Sequence, residues 1–177
     1  MPSSLSHAMV SVAAGSVAAP KPLLRHFIFL GAICAVLPDI DAVGRPFGLG
    51  DLEFLGGHRG FTHSWSFAAM LGVLLALSTT RGREWDGHRI RFAVFIALVT
   101  ASHGALDYLS RIGAQEGVQF LSPFSTHRFT QTWHPINGFF GELFVLFIPL
   151  VAFTVLVRRW RRSAAPSRTR RSNPGAG

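Results

Sequence analysis

The stretch FFGELFVLFIPLVAFTVLV, residues 139–157, runs for nineteen residues with one charged side chain, Glu142, and is followed at once by the basic cluster RRWRR. An α-helix needs about 20 predominantly apolar residues to cross the hydrocarbon core of a bilayer. Arginines directly after such a run favour the cytoplasmic side. The stretch therefore predicts a membrane-spanning helix whose C-terminal end faces the cytoplasm.

Four further apolar runs occupy residues 5–19, 23–37, 61–78 and 90–109. With 49% hydrophobic residues and a mean hydropathy of +0.33, the chain is too apolar for an ordinary soluble domain. We therefore predict an all-α fold, an integral membrane bundle of about four to five helices formed by residues 1–157. Residues 158–177 are rich in Arg, Ser and Pro, and we predict a disordered basic cytoplasmic tail that contacts anionic lipid rather than nucleic acid.

Basic residues mark one side of the predicted bundle. Lys21 with Arg25, the loop at 81–91 and the tail are each a cluster that the positive-inside rule places in the cytoplasm. The start of the first run, the 39–63 loop and the stretch after Asp107 up to Phe139 then face outward, towards the periplasm in a bacterium. A cleavable signal peptide over residues 1–20 is the alternative interpretation, but that segment has no basic residue before its apolar part.

Seven residues of metal-ligand type lie where the apolar runs end, all on the predicted outer side. They are His7, Asp39, Asp41, His58, His63, His103 and Asp107. Imidazole and carboxylate together are typical ligands of zinc and related hydrolytic metals. The single cysteine, Cys34, excludes an intrachain disulfide and a Cys-based zinc site. The pattern therefore predicts a metal site at the extracytoplasmic helix ends.

The spacing within each motif supports this prediction to a different degree. In LPDID two carboxylates follow a helix-ending proline, although a solvated turn would look the same. In HGALD, His103 and Asp107 are four residues apart and share one helix face. Ionisable residues near the end of a predicted membrane helix are functional by default. The alternative to a metal site is a hydrogen bond between these two side chains that only holds the helix bundle together.

The motif GGHRGFTHS carries two histidines among glycines, with Thr62 or Ser64 as a helix cap. A helix N-terminus beside Arg59 also favours an anion such as phosphate. His26 and His88 fall on the basic side and are excluded from the site. His127, His134 and Glu142 are weaker candidates.

The order of an N-terminal His, LPDID, HRGFTHS and SHGALDYLS between apolar helices resembles the YdjM-like family of membrane-bound metal-dependent hydrolases, over about residues 1–130. The resemblance implies a helical inner-membrane protein with a hydrolytic metal site held by the seven residues. It also implies distant kinship with zinc-dependent phospholipase C and P1-type nucleases.

We therefore expect a hydrolase that cleaves a phosphoester of a lipid or lipid-linked substrate, with one to three divalent ions, Zn²⁺ by preference. Asp39 or Asp41 is the expected catalytic base, and Arg45, Arg59 and Arg128 are the expected substrate-binding residues. One alternative is a non-catalytic protein that binds or transports a divalent metal. Another is a polar cluster that only holds helix ends together. Membrane lipids are the expected partners, and no particular oligomeric state is predicted.

Overall fold

The computed structural model describes residues 3–110 and 116–163, without the side chain at position 162. These residues form five helices and no β-sheet, which confirms the predicted all-α bundle. The helices are α1 (Ser4–Ala18), α2 (Leu24–Val36), α3 (Trp65–Thr79), α4 (Arg89–Leu109) and α5, which begins as Gly138–Gly141, passes through a π-helical turn at Glu142–Phe147 and continues as Ile148–Ser163.

In the described part of the chain, three helical stretches are long and apolar enough to cross a bilayer, namely Lys21–Phe47, Arg89–Leu109 and Gly138–Arg161. The first is longer than predicted because 3₁₀ turns at both ends extend α2. Helices α1 and α3 have 15 residues each, about 22 Å at 1.5 Å per residue, and fall short of a full span.

Two helix ends differ from their predicted positions. Helix α3 begins at Trp65 because Phe61–His63 forms a separate 3₁₀ turn, and the Ser64 hydroxyl caps α3 by accepting the Phe67 N–H at 3.1 Å. The last helix continues to Ser163 instead of ending at residue 157. Residues 164–177 lie outside the described residues, so disorder of the tail stays a prediction.

The helices alternate in direction, so the starts of α1, α3 and α5 share one end of the bundle with the ends of α2 and α4. At that end Glu142 of α5 accepts the Ser3 N–H at 2.7 Å, just before α1. At the opposite end Arg161 donates to the Ala19 carbonyl at 3.4 Å, just after α1. The ligand-type residues and the basic clusters of the described chain are therefore at opposite ends of the bundle, while the predicted orientation of these ends in the membrane stays a prediction.

An aromatic core holds α2 and α4 together near the basic end. Phe27 packs edge-on against Phe92 and tilted against Phe95, with ring centroids 5.0 and 4.9 Å apart. Trp85, from the loop between α3 and α4, packs against this cluster. Glycine allows close contact elsewhere: a Cβ added at Gly31 would lie 2.3 Å from the Ser11 hydroxyl of α1. Small residues at helix contacts are typical of packing in lipid.

Candidate metal centre

Helix α4 supplies two site residues one turn apart, His103 and Asp107, both with 0% exposure. The His103 Nδ1 lies 2.7 Å from the backbone carbonyl of Ala35 in α2. Because a carbonyl only accepts, Nδ1 carries a proton, and Nε2, which faces Asp39, is the nitrogen that could bind a metal. A backbone contact therefore fixes the tautomer of His103, and no sequence pattern identifies Ala35 as the partner.

The 3₁₀ turn Leu37–Ala42 directs two carboxylates to the same end of the bundle. Asp39 Oδ1 lies 3.2 Å from His103 Nε2. The side chain of Asp39 is 29% exposed, whereas that of Asp41 is 0% exposed. Asp39 is therefore the accessible carboxylate of the pair, and Asp41 is enclosed.

Asp41 is surrounded by donors from the HRGFTH segment. Its Oδ1 lies 2.8 Å from His58 Nδ1, and its Oδ2 accepts the Thr62 hydroxyl at 2.6 Å and the Arg59 N–H at 3.2 Å. Its Oδ2 also lies 3.1 Å from His63 Nδ1. A carboxylate on one imidazole nitrogen orients the other towards a metal, so these contacts favour Asp41 as the residue that positions His63.

The backbone of this segment takes conformations that its sequence explains in part. A Cβ at Gly60 would lie 2.5 Å from the Leu55 carbonyl, so glycine is needed there. Arg59 has φ of +63°, a left-handed conformation that is uncommon for a side chain of this type. Gly104 of α4 lets the segment approach, because an added Cβ would lie 2.6 Å from the His63 carbonyl.

His63 joins the carboxylates on both sides. Its Nε2 lies 3.7 Å from Asp107 Oδ2 and 3.8 Å from Asp39 Oδ1. It is buried outside the spanning stretches, and burial lowers its pKa, which favours the neutral form that binds metals. His63 therefore belongs to both ligand groups described next.

Two groups of side chains among the described residues could hold a metal ion, with ligand atoms within 4.8 Å of one another. The first consists of Asp39, His63, His103 and Asp107, and the second of Asp41, His58 and His63. With metal–ligand bonds of about 2.1 Å, neighbouring ligand atoms around a tetrahedral ion lie roughly 3.4 Å apart. The measured separations of 3.2, 3.7 and 3.8 Å in the first group are close to that value.

Polar atoms without a partner support the first group as a metal site. His63 Nε2 and Asp107 Oδ1 are buried and have no hydrogen-bond partner among the described residues. Burying such atoms is costly unless something binds them. A metal ion would satisfy both, so the residues present fit a divalent cation.

The charge balance supports the same conclusion. Three carboxylates meet here, Asp39, Asp41 and Asp107, while Arg59 is the one buried Lys or Arg among the described residues. The Arg59 guanidinium is shared between Asp107 and Glu116, so it does not balance the negative charges of Asp39 and Asp41 when these two carboxylates are ionised. A divalent cation would offset them.

His7 lies against the first group without belonging to either. Its ring stacks on that of His103 with centroids 3.8 Å apart, and its Nε2 lies 3.8 Å from Asp107 Oδ1. The side chain is 1% exposed. His7 is thus brought to the cluster as predicted, and its role as a ligand stays a prediction.

The three predicted substrate arginines have other contacts in this structure. Arg59 is fully buried; its Nε donates to Asp107 Oδ2 at 2.9 Å, and its Nη1 pairs with Glu116, an acid that sequence reasoning did not single out. Arg45 pairs with Asp51 at the surface, and Arg128 donates to loop carbonyls including that of Gly56 at 3.1 Å. Their predicted substrate contacts stay predictions.

The remaining candidates lie outside both ligand groups. His26 contacts Trp85 at the basic end, with ring centroids 5.7 Å apart. His127 packs on Phe129 in the segment that precedes α5. Glu142 is bonded to the start of α1 through Ser3. His88 and His134 do not join either group.

Comparison with known proteins gives the family context. The sequence profile described as YdjM inner membrane protein matches residues 1–168. The chain is 35% identical over 138 residues to inner membrane protein YbcI of Escherichia coli (strain K12). The aligned region covers 77% of this chain and 76% of the relative. No solved structure gives a significant match.

Proposed function

The chain belongs to the YdjM family of inner membrane proteins, and from that premise we propose that it is a membrane-bound, metal-dependent hydrolase of a lipid or lipid-linked phosphoester. The observation that carries the proposal is the first ligand group, in which His63 Nε2 and Asp107 Oδ1 are buried and have no hydrogen-bond partner in the part of the chain that the structure describes. We further propose that this group faces the periplasm, because the basic clusters at Lys21 and Arg25, at residues 81–91 and at the end of α5 lie at the opposite end of the bundle.

His63, His103 and Asp107 would hold the ion, since all three are buried and held in place by neighbouring groups. A bound zinc ion would supply Lewis acidity and bring the pKa of a water molecule towards neutrality. Asp39 would complete the coordination or act as the base, because it is the accessible carboxylate.

In the proposed reaction the oxygen of water forms a bond to phosphorus while the ester P–O bond breaks. The proton of the water passes to the Asp39 carboxylate, and the leaving alkoxide takes up a proton to become an alcohol. The ligands lie at helix ends, whereas the ligands of transporters gather near the bilayer midplane, and this difference favours hydrolysis over transport.

Metal content of the detergent-purified protein tests the site. We expect a bound divalent metal in the wild type and its loss in His63→Ala and Asp107→Ala, whereas His26→Ala at the basic end should keep it. Full retention in both ligand variants would contradict the site. Hydrolysis of phospholipids and phosphomonoesters by the loaded protein then tests catalysis, and an inert, metal-loaded protein would favour a non-catalytic metal-binding function.

A further inference from the structure

An apolar groove with a volume of 650 Å³ lies along α2 and the turn that follows it. The side chains that form it include those of Phe29, Ala32, Ile33, Val36 and Ile40. Asp39 is the one acidic residue in its lining, and it lies in the 3₁₀ turn that follows α2. The groove therefore joins an apolar surface to a residue of the first ligand group.

At the point where the groove meets the first ligand group, Asp39 is exposed to the groove. Asp39 Oδ1 is 3.2 Å from His103 Nε2, yet 29% of the Asp39 side chain is exposed, whereas Asp107 behind it is 0% exposed. Of the carboxylates in the first group, Asp39 is thus the one that a molecule lying in the groove can reach.

The groove has the length of one leaflet. From Asp39 back to Phe29 is ten residues, roughly 15 Å at the helical rise per residue. The hydrocarbon core of a bilayer is about 30 Å thick, so one leaflet contributes about half of that. Within the spanning stretch Lys21–Phe47, Phe29 and Ile33 are 66% and 48% exposed, so the protein leaves this surface to the lipid.

We propose that this groove binds one hydrocarbon chain of the lipid phosphoester, with the phosphate at Asp39 and the chain running towards Phe29. The lipid would enter sideways from the leaflet on the side of the ligand group. The catalytic part of this inference rests on the proposed function; chain binding does not.

The groove would act mainly by positioning the lipid substrate. Lipid tails are already in an apolar medium, so moving one into the groove gains little from the hydrophobic effect and depends on van der Waals fit. A chain that follows α2 would place the ester group at the depth of Asp39. Selectivity for long-chain phosphoesters over soluble ones would follow from that placement.

Photolabelling tests chain binding without any need for activity. The probe is a phosphatidylglycerol with a diazirine near the end of one acyl chain, applied to the full-length protein in nanodiscs. We expect labelling of the α2 peptide around Phe29 to exceed that of the lipid-exposed α5 peptide around Ala152 at least threefold. Ala32→Trp should remove this excess, and Ala152→Trp, a matched substitution outside the groove, should not. Equal labelling of both peptides would overturn the inference.

Activity provides the second test. The ratio of phosphatidylglycerol hydrolysis to hydrolysis of soluble bis(p-nitrophenyl) phosphate should fall at least tenfold in Ala32→Trp and remain at the wild-type value in Ala152→Trp. An unchanged ratio in Ala32→Trp would also overturn the inference. A wild-type protein that hydrolyses neither substrate would contradict the proposed function, and the labelling pattern would still decide whether the groove binds a chain.

Discussion

Replacing Arg59 by methionine is expected to destabilise the protein far more than the same change at Arg45. Arg59 is fully buried and its Nε donates to the equally buried Asp107 at 2.9 Å. Arg45 forms its ion pair with Asp51 at the surface, where the side chains are 48% and 22% exposed. Arg59 thus belongs to a buried ion pair and Arg45 to an exposed ion pair, in neighbouring segments of the same chain.

The expected difference follows from burial. Breaking a buried pair by removing one partner costs about 3–5 kcal/mol because the remaining charge is left uncompensated. An exposed pair contributes about 0–1 kcal/mol. For a chain of this size each kcal/mol changes Tm by about 2–4 °C, so we expect a decrease of roughly 6–20 °C for Arg59→Met and under about 4 °C for Arg45→Met.

Thermal unfolding in detergent with a chelator, followed by far-UV circular dichroism, measures both variants. Added zinc should recover more stability in Arg59→Met than in the wild type, because a cation beside Asp107 replaces the lost guanidinium charge. Equal decreases in Tm for the two variants would refute the argument from burial. A zinc effect no larger than in the wild type would refute the charge argument for the metal.

Three further outcomes are expected. Asp41→Asn should lower zinc affinity about 10–100-fold in a chelator competition assay if Asp41 orients His63, and an unchanged affinity would show that its contacts do not support the metal. Gly104→Ala should reduce bound metal and cost about 1–3 kcal/mol of stability, because the added Cβ would lie 2.6 Å from the His63 carbonyl; full metal content in this variant would contradict the need for close approach. Green fluorescent protein fused after Gly177 should fluoresce and alkaline phosphatase at the same point should be inactive, whereas the reverse would place the ligand group in the cytoplasm.

Hydropathy and spacing along the chain were enough to predict the helical bundle and the end of it at which the ligand-type residues meet. Both follow from local chemistry, since apolar runs must span the lipid as helices and charged residues must leave it. The four-residue spacing of His103 and Asp107 placed both on one face of α4, where the structure has them. The extension of the last helix to Ser163 was not apparent, because the arginines that mark the membrane boundary do not end a helix.

The surroundings of each ligand-type residue depend on tertiary contacts. Asp41 meets four donors from a segment about twenty residues away and is enclosed by them, while Asp39, two residues earlier, stays accessible. The burial of Arg59 against Asp107 and the carbonyl of Ala35 on His103 are also contacts between distant segments. Such contacts depend on where separate helix ends come to lie in space, and hydropathy and spacing along one chain carry no information about that.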